Sequence, residues 1–189
     1  ADFRITNAYR IGSNTMQVSF NKNLDSLLLS ESSFFKINGN TATNSNPIAP
    51  FFDATMLTFD FTFLENTTYT ISINSLIDCS GNSIINAMQF GIPDSSLEND
   101  IIINEILFNP KEDGVDYVEI YNNSNSFFDL SKLRIANFFE FGGALIPENI
   151  KLITAEIHLF APHTYLVLTS DSAKVKAQYY CENPYNFIE

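Results

Sequence analysis

Hydrophobic and polar residues alternate with period two through most of the first half of the chain. Met16, Val18 and Phe20 alternate with Gln17 and Ser19. Leu57, Phe59, Phe61 and Phe63 alternate with Thr58, Asp60 and Thr62, and Tyr69, Ile71 and Ile73 with Thr70 and Ser72. Successive side chains of a strand point to opposite sides, so each stripe predicts the buried face of a half-exposed antiparallel strand. The predicted strands are 16–20, 57–63 and 69–73, with others around Phe3 and Ile5, Phe35 and Ile37, and Met88 to Ile92. Turn clusters rich in Gly, Asn, Ser and Pro separate them, among them Asn38-Gly39-Asn40 and Asp78-Cys79-Ser80-Gly81-Asn82. Leu24 to Leu29 breaks the alternation and predicts a single helical turn between sheets.

The rhythm stops at Gly91 to Asp100, a Pro-bearing polar stretch, and restarts at Ile101 to Phe108. Strands are expected at 117–121 and 165–169, with shorter ones at Leu133 to Ala136, Ile150 to Ile153 and Ile157 to Phe160. Asp171 has the character of an N-cap, ahead of good helix formers from Ser172 to Tyr180, and predicts the only helix longer than two turns. Short strands at 8–12-residue spacing are the pattern of a sandwich. The fold class expected is all-β, with two immunoglobulin-like β-sandwich domains in tandem, 1–93 and 94–189.

Composition narrows the function classes. Asp and Glu outnumber Lys and Arg by 22 to 10, giving a net charge of −12. That charge repels phosphate backbones, so nucleic acid is not expected as a partner. No run approaches the roughly 18 apolar residues of a membrane-spanning helix, so the chain is not read as membrane-spanning. Surface positions rich in Asn, Ser and Thr point to an extracellular or cell-surface location. The two cysteines, Cys79 and Cys181, fit neither a zinc nor a CxxC spacing. They are candidates for a disulfide tying the domains, a question that the sequence leaves open.

The second half carries Ile103-Asn104-Glu105-Ile106, then Val118-Glu119-Ile120-Tyr121-Asn122-Asn123-Ser124. Asp129-Leu130-Ser131 and Pro162-His163-Thr164-Tyr165-Leu166-Val167-Leu168-Thr169 complete the set. In this order the segments resemble the lamin tail domain over residues 101–189, with His163 where a Gly-type turn residue is usual and Lys132-Leu133 where Gly-Trp is common. The resemblance implies framework roles for Glu105, Glu119, Asn122 and Ser124, with Glu119 and Asn122 bonding backbone. It also implies further strands past the helix, so domain 94–189 is expected to be truncated at its C-terminus and to expose a sheet edge, or one capped by a neighbouring molecule. The first half, through Val18-Ser19-Phe20 and Asp78-Cys79-Ser80-Gly81-Asn82, is similar to bacterial Ig-like domains of the S-layer type. Such tandems are similar to surface or secreted proteins of Bacteroidetes-type bacteria, which implies adhesion, scaffolding or tethering.

Candidate chemistry is sparse. His158 and His163 have no metal-type spacing, no GxSxG elbow or Gly-rich phosphate loop is present, and the chain is not read as an enzyme. Glu112, Asp113 and Asp116 crowd one turn and could hold Ca²⁺, the sole cofactor considered. The loop lacks the ordered spacing of an EF-hand, so a solvated turn is preferred. Asp78, Ser80 and Asn82 form a second oxygen cluster that turn chemistry explains. The doubled phenylalanines, Phe51-Phe52, Phe127-Phe128 and Phe138-Phe139, are expected to turn one ring outward from each strand. Asp25-Ser26-Leu27 and Asp171-Ser172-Ala173 resemble an O-glycan acceptor pattern too short to weigh much. The expected function is a non-catalytic binding or structural module whose partner is a protein or glycan at the cell envelope. The alternatives are an accessory segment of a secreted hydrolase or a glycan-binding module.

Overall fold

The computed structural model describes residues 3–65, 67–78 and 80–189. The chain is all-β and divides into two compact units, Ala1–Pro93 and Asp94–Glu189.

In unit 1 the elements are β1 (Ile5–Arg10), β2 (Thr15–Phe20), the one-turn helix α1 (Ser26–Leu29), β3 (Phe35–Ile37), β4 (Asn40–Thr41), β5 (Asn44–Pro47), β6 (Ala54–Thr58), β7 (Tyr69–Ile77) and β8 (Ser83–Phe90). They form two four-stranded antiparallel sheets, ordered β1-β2-β6-β5 and β4-β3-β7-β8. Met16, Val18 and Leu57 from one sheet, and Phe35, Ile37, Ile71 and Ile73 from the other, are fully buried. Alternation put these side chains on the inner faces, and their removal from water stabilises the sandwich. Asp25 caps α1 by accepting from the amides of Leu27 and Leu28. Asn38 and Gly39, with φ of 47° and 88°, join Ile37 to Asn40. Two successive left-handed residues give the two-residue turn that suits strand twist.

One expected strand is shorter than predicted. The segment 57–63 is strand only to Thr58. Beyond it the backbone bonds the preceding turn: Phe59 N donates to Asn14 O, Phe63 N to Ser13 O, and Asn14 Nδ2 to Phe59 O. Phe59, Phe61 and Phe63 alternate because they interlock with Tyr69 and Phe90 in a cluster of rings 5.2–6.3 Å apart. Period-two spacing therefore records packing here, without a ladder.

Unit 2 contains β9 (Ile101–Leu107), β10 (Tyr117–Asn122), β11 (Phe128–Asp129), β12 (Arg134–Phe141), β13 (Ala144–Leu152), β14 (Leu159–Phe160), β15 (Tyr165–Thr169), α2 (Ser172–Gln178) and β16 (Phe187–Ile188). Its main sheet runs β16-β15-β10-β9, and β11 pairs with β14. Between them lies a core of Ile120, Phe128, Leu130, Phe160 and Leu166. The main sheet is open at β16 and β9. Ile103 and Ile106 of β9 share the core-facing side with Ile120 and Val118, yet are 56% and 55% exposed. Asp171 caps α2 by accepting from the amide of Lys174, as its sequence predicts. The helix is shorter than expected, seven residues or about two turns, because Tyr179 takes an extended conformation and ends it before Tyr180.

The strand fragments expected around 133–136 and 150–153 are the feet of one long hairpin. Phe141 pairs with Ala144 across Gly142 and Gly143, whose φ values of 62° and 81° close the turn. Phe138, Phe139, Phe141, Leu145 and Ile150 are exposed, on both faces of the hairpin. The doubled phenylalanines divide accordingly. Phe138 and Phe139 are both turned to solvent, whereas Phe127 and Phe128 are both buried. Phe127 precedes β11, so strict alternation does not govern that pair.

Candidate functional site

The outward face of the main sheet in unit 2 is a groove. Cross-strand pairing sets Tyr117, Glu119 and Tyr121 of β10 opposite Thr169, Val167 and Tyr165 of β15, while Glu105 of β9 lies opposite Glu119. Side chains directly opposite in a ladder share a face, and the alternate residues Val118, Ile120, Leu166 and Leu168 go to the core. The segment after α2, Tyr179 to Asn183, forms one wall, and His163 and Thr164 stand at one end. The concavity has a volume of about 710 Å³.

Tyrosines dominate it. Tyr117, Tyr165, Tyr179 and Tyr180 line it: Tyr117 meets Tyr179 edge-on at 6.2 Å, Tyr180 is 92% exposed, and Tyr165 packs 4.5 Å from the Tyr121 ring beside the groove. Tyr117 Oη donates to Glu105 Oε1 at 2.7 Å, and Asn104 Nδ2 donates to Glu119 Oε1 at 2.7 Å. Burial, the bond to Glu105 and the charges of Glu105 and Glu119 all raise the Tyr117 pKa, so its phenol stays protonated and donating. Lys111 braces the Tyr179 side of the groove: its Nζ donates to Gln178 O at 2.8 Å and lies 4.9 Å from the Tyr179 ring centre.

Of the four framework residues, Asn122 and Ser124 act on backbone. Asn122 is fully buried; its Nδ2 donates to the carbonyls of Ser126, Phe160 and Ala161, and its Oδ1 accepts from Ser124 N and Oγ. Glu119 departs from expectation, because its bond runs to the Asn104 side chain and it lines the groove with Glu105. His163 has a φ of 55°, a left-handed conformation, at the position where the resemblance puts a Gly-type residue. Its ring nitrogens face Asn125 Oδ1 at 3.0 Å and Tyr121 Oη at 3.4 Å. His158 is half-buried, and the desolvation this brings lowers its pKa.

The turn bearing Glu112, Asp113 and Asp116 is tied to its surroundings through backbone. Glu112 O accepts from Gln178 Nε2, Asp116 O accepts from Thr169 Oγ1, and Asp113 has a φ of 60°. A Cβ at Gly114 would come within 2.8 Å of Lys111 O and closer still to Gln178 Oε1, so this close approach requires glycine. Among the described residues, no group of three or more His, Cys, Asp or Glu is placed to hold a metal ion. The Cys79–Cys181 pairing falls outside the described residues, which do not include Cys79.

Asp78 closes its own turn. Its Oδ1 accepts from the amides of Ser80 and Asn82, and Oδ2 accepts from Lys22 Nζ at 2.7 Å. The bond from Lys22, then those from Asn82, hold the Asp78 carboxyl well below the usual carboxylate range. A pKa depressed on folding contributes stability that is fully present above the unfolded value near 4, and is lost as pH falls towards the folded value. Unit 1 is therefore expected to lose unfolding free energy below about pH 4, and Asp78→Asn to flatten that decline. Urea unfolding followed by circular dichroism at pH 5, 3 and 2 reads it; an unchanged slope in the variant rejects the assignment.

Among the described residues no helix is long and apolar enough to cross a membrane. The chain matches no family model and no curated protein. Three solved structures are similar. Surface layer protein SbsC, domains 1–6, is 18% identical with a TM-score of 0.42, covering 56% of this chain and 15% of that one. The S-layer protein rSbsC(31–844) is 15% identical with a TM-score of 0.45, covering 77% and 22%. The N-terminal part of the S-layer protein SbsC is 14% identical with a TM-score of 0.41, covering 87% and 45%. The chain thus spans less than half the length of each.

Proposed function

We propose that this chain is a non-catalytic binding module of a secreted or cell-surface bacterial protein, of the adhesion, scaffolding or tethering kind, and that the tyrosine-lined groove of unit 2 receives its ligand. The groove carries this reading: it is a concavity on the outer sheet face with several aromatic rings and a few convergent polar groups, the usual make-up of a ligand site. The lamin-tail assignment of residues 94–189 belongs to the same proposal and is supported by His163 in a glycine-type conformation and by the buried Asn122 hub. A scaffolding contribution is supported separately by the β12–β13 hairpin, whose apolar side chains are uncovered on both faces.

The test is cosedimentation of the labelled chain with envelopes of Bacteroidetes-type bacteria. The wild type is expected to pellet, with Tyr165→Ala weakening its apparent affinity for the envelopes about tenfold, the loss of ~1.4 kcal/mol of binding. Equal pelleting of both proteins would remove the groove from the function.

A further inference from the structure

We propose that the ligand of this groove is an amino sugar, presented as an oligosaccharide of the glucosamine type; this rests on the groove being the binding surface named above. The hydrogen-bonding inventory carries it. Several donors that line the groove are already committed within the protein. Tyr117 Oη is given to Glu105, Asn104 Nδ2 to Glu119, Asn186 Nδ2 to Tyr165 O at 3.0 Å, and Thr164 Oγ1 to Ala161 O at 2.7 Å. The acceptors are not used up, since each carboxylate can take about four hydrogen bonds. A ligand rich in donors, as hydroxyls and an ammonium make it, matches these acceptors, while the hydroxyls of Tyr165, Tyr179 and Tyr180, which also line the groove, can donate to its oxygens. Glu105 and Glu119 also stand directly opposite across the β9–β10 ladder, where like charges disfavour each other. A cationic ligand relieves that repulsion, and an acidic sugar adds to it.

The shape selects a sugar over a basic peptide. The floor is built from β10 and β15, each paired on both sides, so their backbone groups are engaged in ladders and give a peptide main chain nothing to bind. The floor offers side chains instead. Tyr165, braced by the Tyr121 ring 4.5 Å away, presents a ring with a polar rim against which the C–H face of a pyranose can lie while its hydroxyls reach outward.

Calorimetric titration with four probes decides it: the glucosamine hexamer, the N-acetylglucosamine hexamer, oligogalacturonate and hexalysine. The expected order has the glucosamine hexamer binding about tenfold tighter than its N-acetylated counterpart, roughly one decade of affinity, with no binding of oligogalacturonate. Glu105→Gln with Glu119→Gln should erase that difference. Tyr165→Phe, which keeps the ring, should bind like wild type, and Tyr165→Ala should weaken binding while leaving the circular dichroism spectrum intact. Equal affinity for the acetylated sugar, binding of the acidic one, hexalysine binding as tightly as the sugar, or no binding of any probe overturns the proposal. Envelope cosedimentation that depends on Tyr165 and survives the failure of all the sugars would leave the broader function standing and sink this ligand alone.

Discussion

Asn122→Ala is expected to cost unit 2 about 3–5 kcal/mol, because it leaves several buried groups without partners at once. The side chain is fully buried; its two N–H groups are shared among three carbonyls and its oxygen accepts twice from Ser124. Those bonds tie the end of β10 to the 123–126 turn and to the segment that follows β14. Each intact bond contributes a net ~1 kcal/mol, but each buried group left unpaired costs about 1–3 kcal/mol. Asn122→Asp should be worse than Ala at neutral pH, since it sets a carboxylate oxygen against three carbonyl oxygens. Urea unfolding, with hydrogen exchange monitored over 117–169, measures both. A loss under about 1 kcal/mol, within the range of a single ordinary hydrogen bond, would show that the hub is dispensable.

Phe63→Ala is expected to destabilise unit 1 by about 3–5 kcal/mol, the range for removing a buried phenylalanine. Phe63 is almost wholly buried and meets four rings, those of Phe59, Phe61, Tyr69 and Phe90, at 5.2–6.0 Å. Its loss leaves a cavity that these rigid rings cannot readily fill, because the backbone of 59–63 is pinned to Ser13 and Asn14. Tyr69 also accepts Leu64 N with its hydroxyl, which anchors the same loop. Phe61→Ala, at a half-buried position on the same segment, should cost clearly less. Equal losses in the two variants would show that the cluster does not centre on Phe63.

The two capped helices illustrate what local sequence carries. Asp25 and Asp171 both precede short helices and both accept from amides of the first turn. Capping thus accounts for the Asp-Ser pairs at both positions, the same pairs that look like a modification pattern when read as text. The turns at Asn38-Gly39 and Gly142-Gly143 belong to the same class, since positive φ is a local demand met by local residues.

The sequence by itself determined the all-β class, the stripes that fill the cores, and the strands 16–20, 69–73, 117–121 and 165–169. Each of these follows from the period-two pleat acting over a few neighbouring residues. Only the tertiary structure decided the rest. Phe59 to Phe63 alternate like a strand, but the amides of Phe59 and Phe63 are claimed by a turn more than forty residues earlier, at Ser13 and Asn14. Phe138 and Phe139 read as one ring in and one ring out, yet the hairpin that carries them leaves both exposed. Glu105 and Glu119 become neighbours only through the β9–β10 register, and Tyr121 meets Tyr165 only through that of β10 and β15. Register is set by how whole faces pack, and it brought together the tyrosines and carboxylates of the groove from positions far apart in the chain.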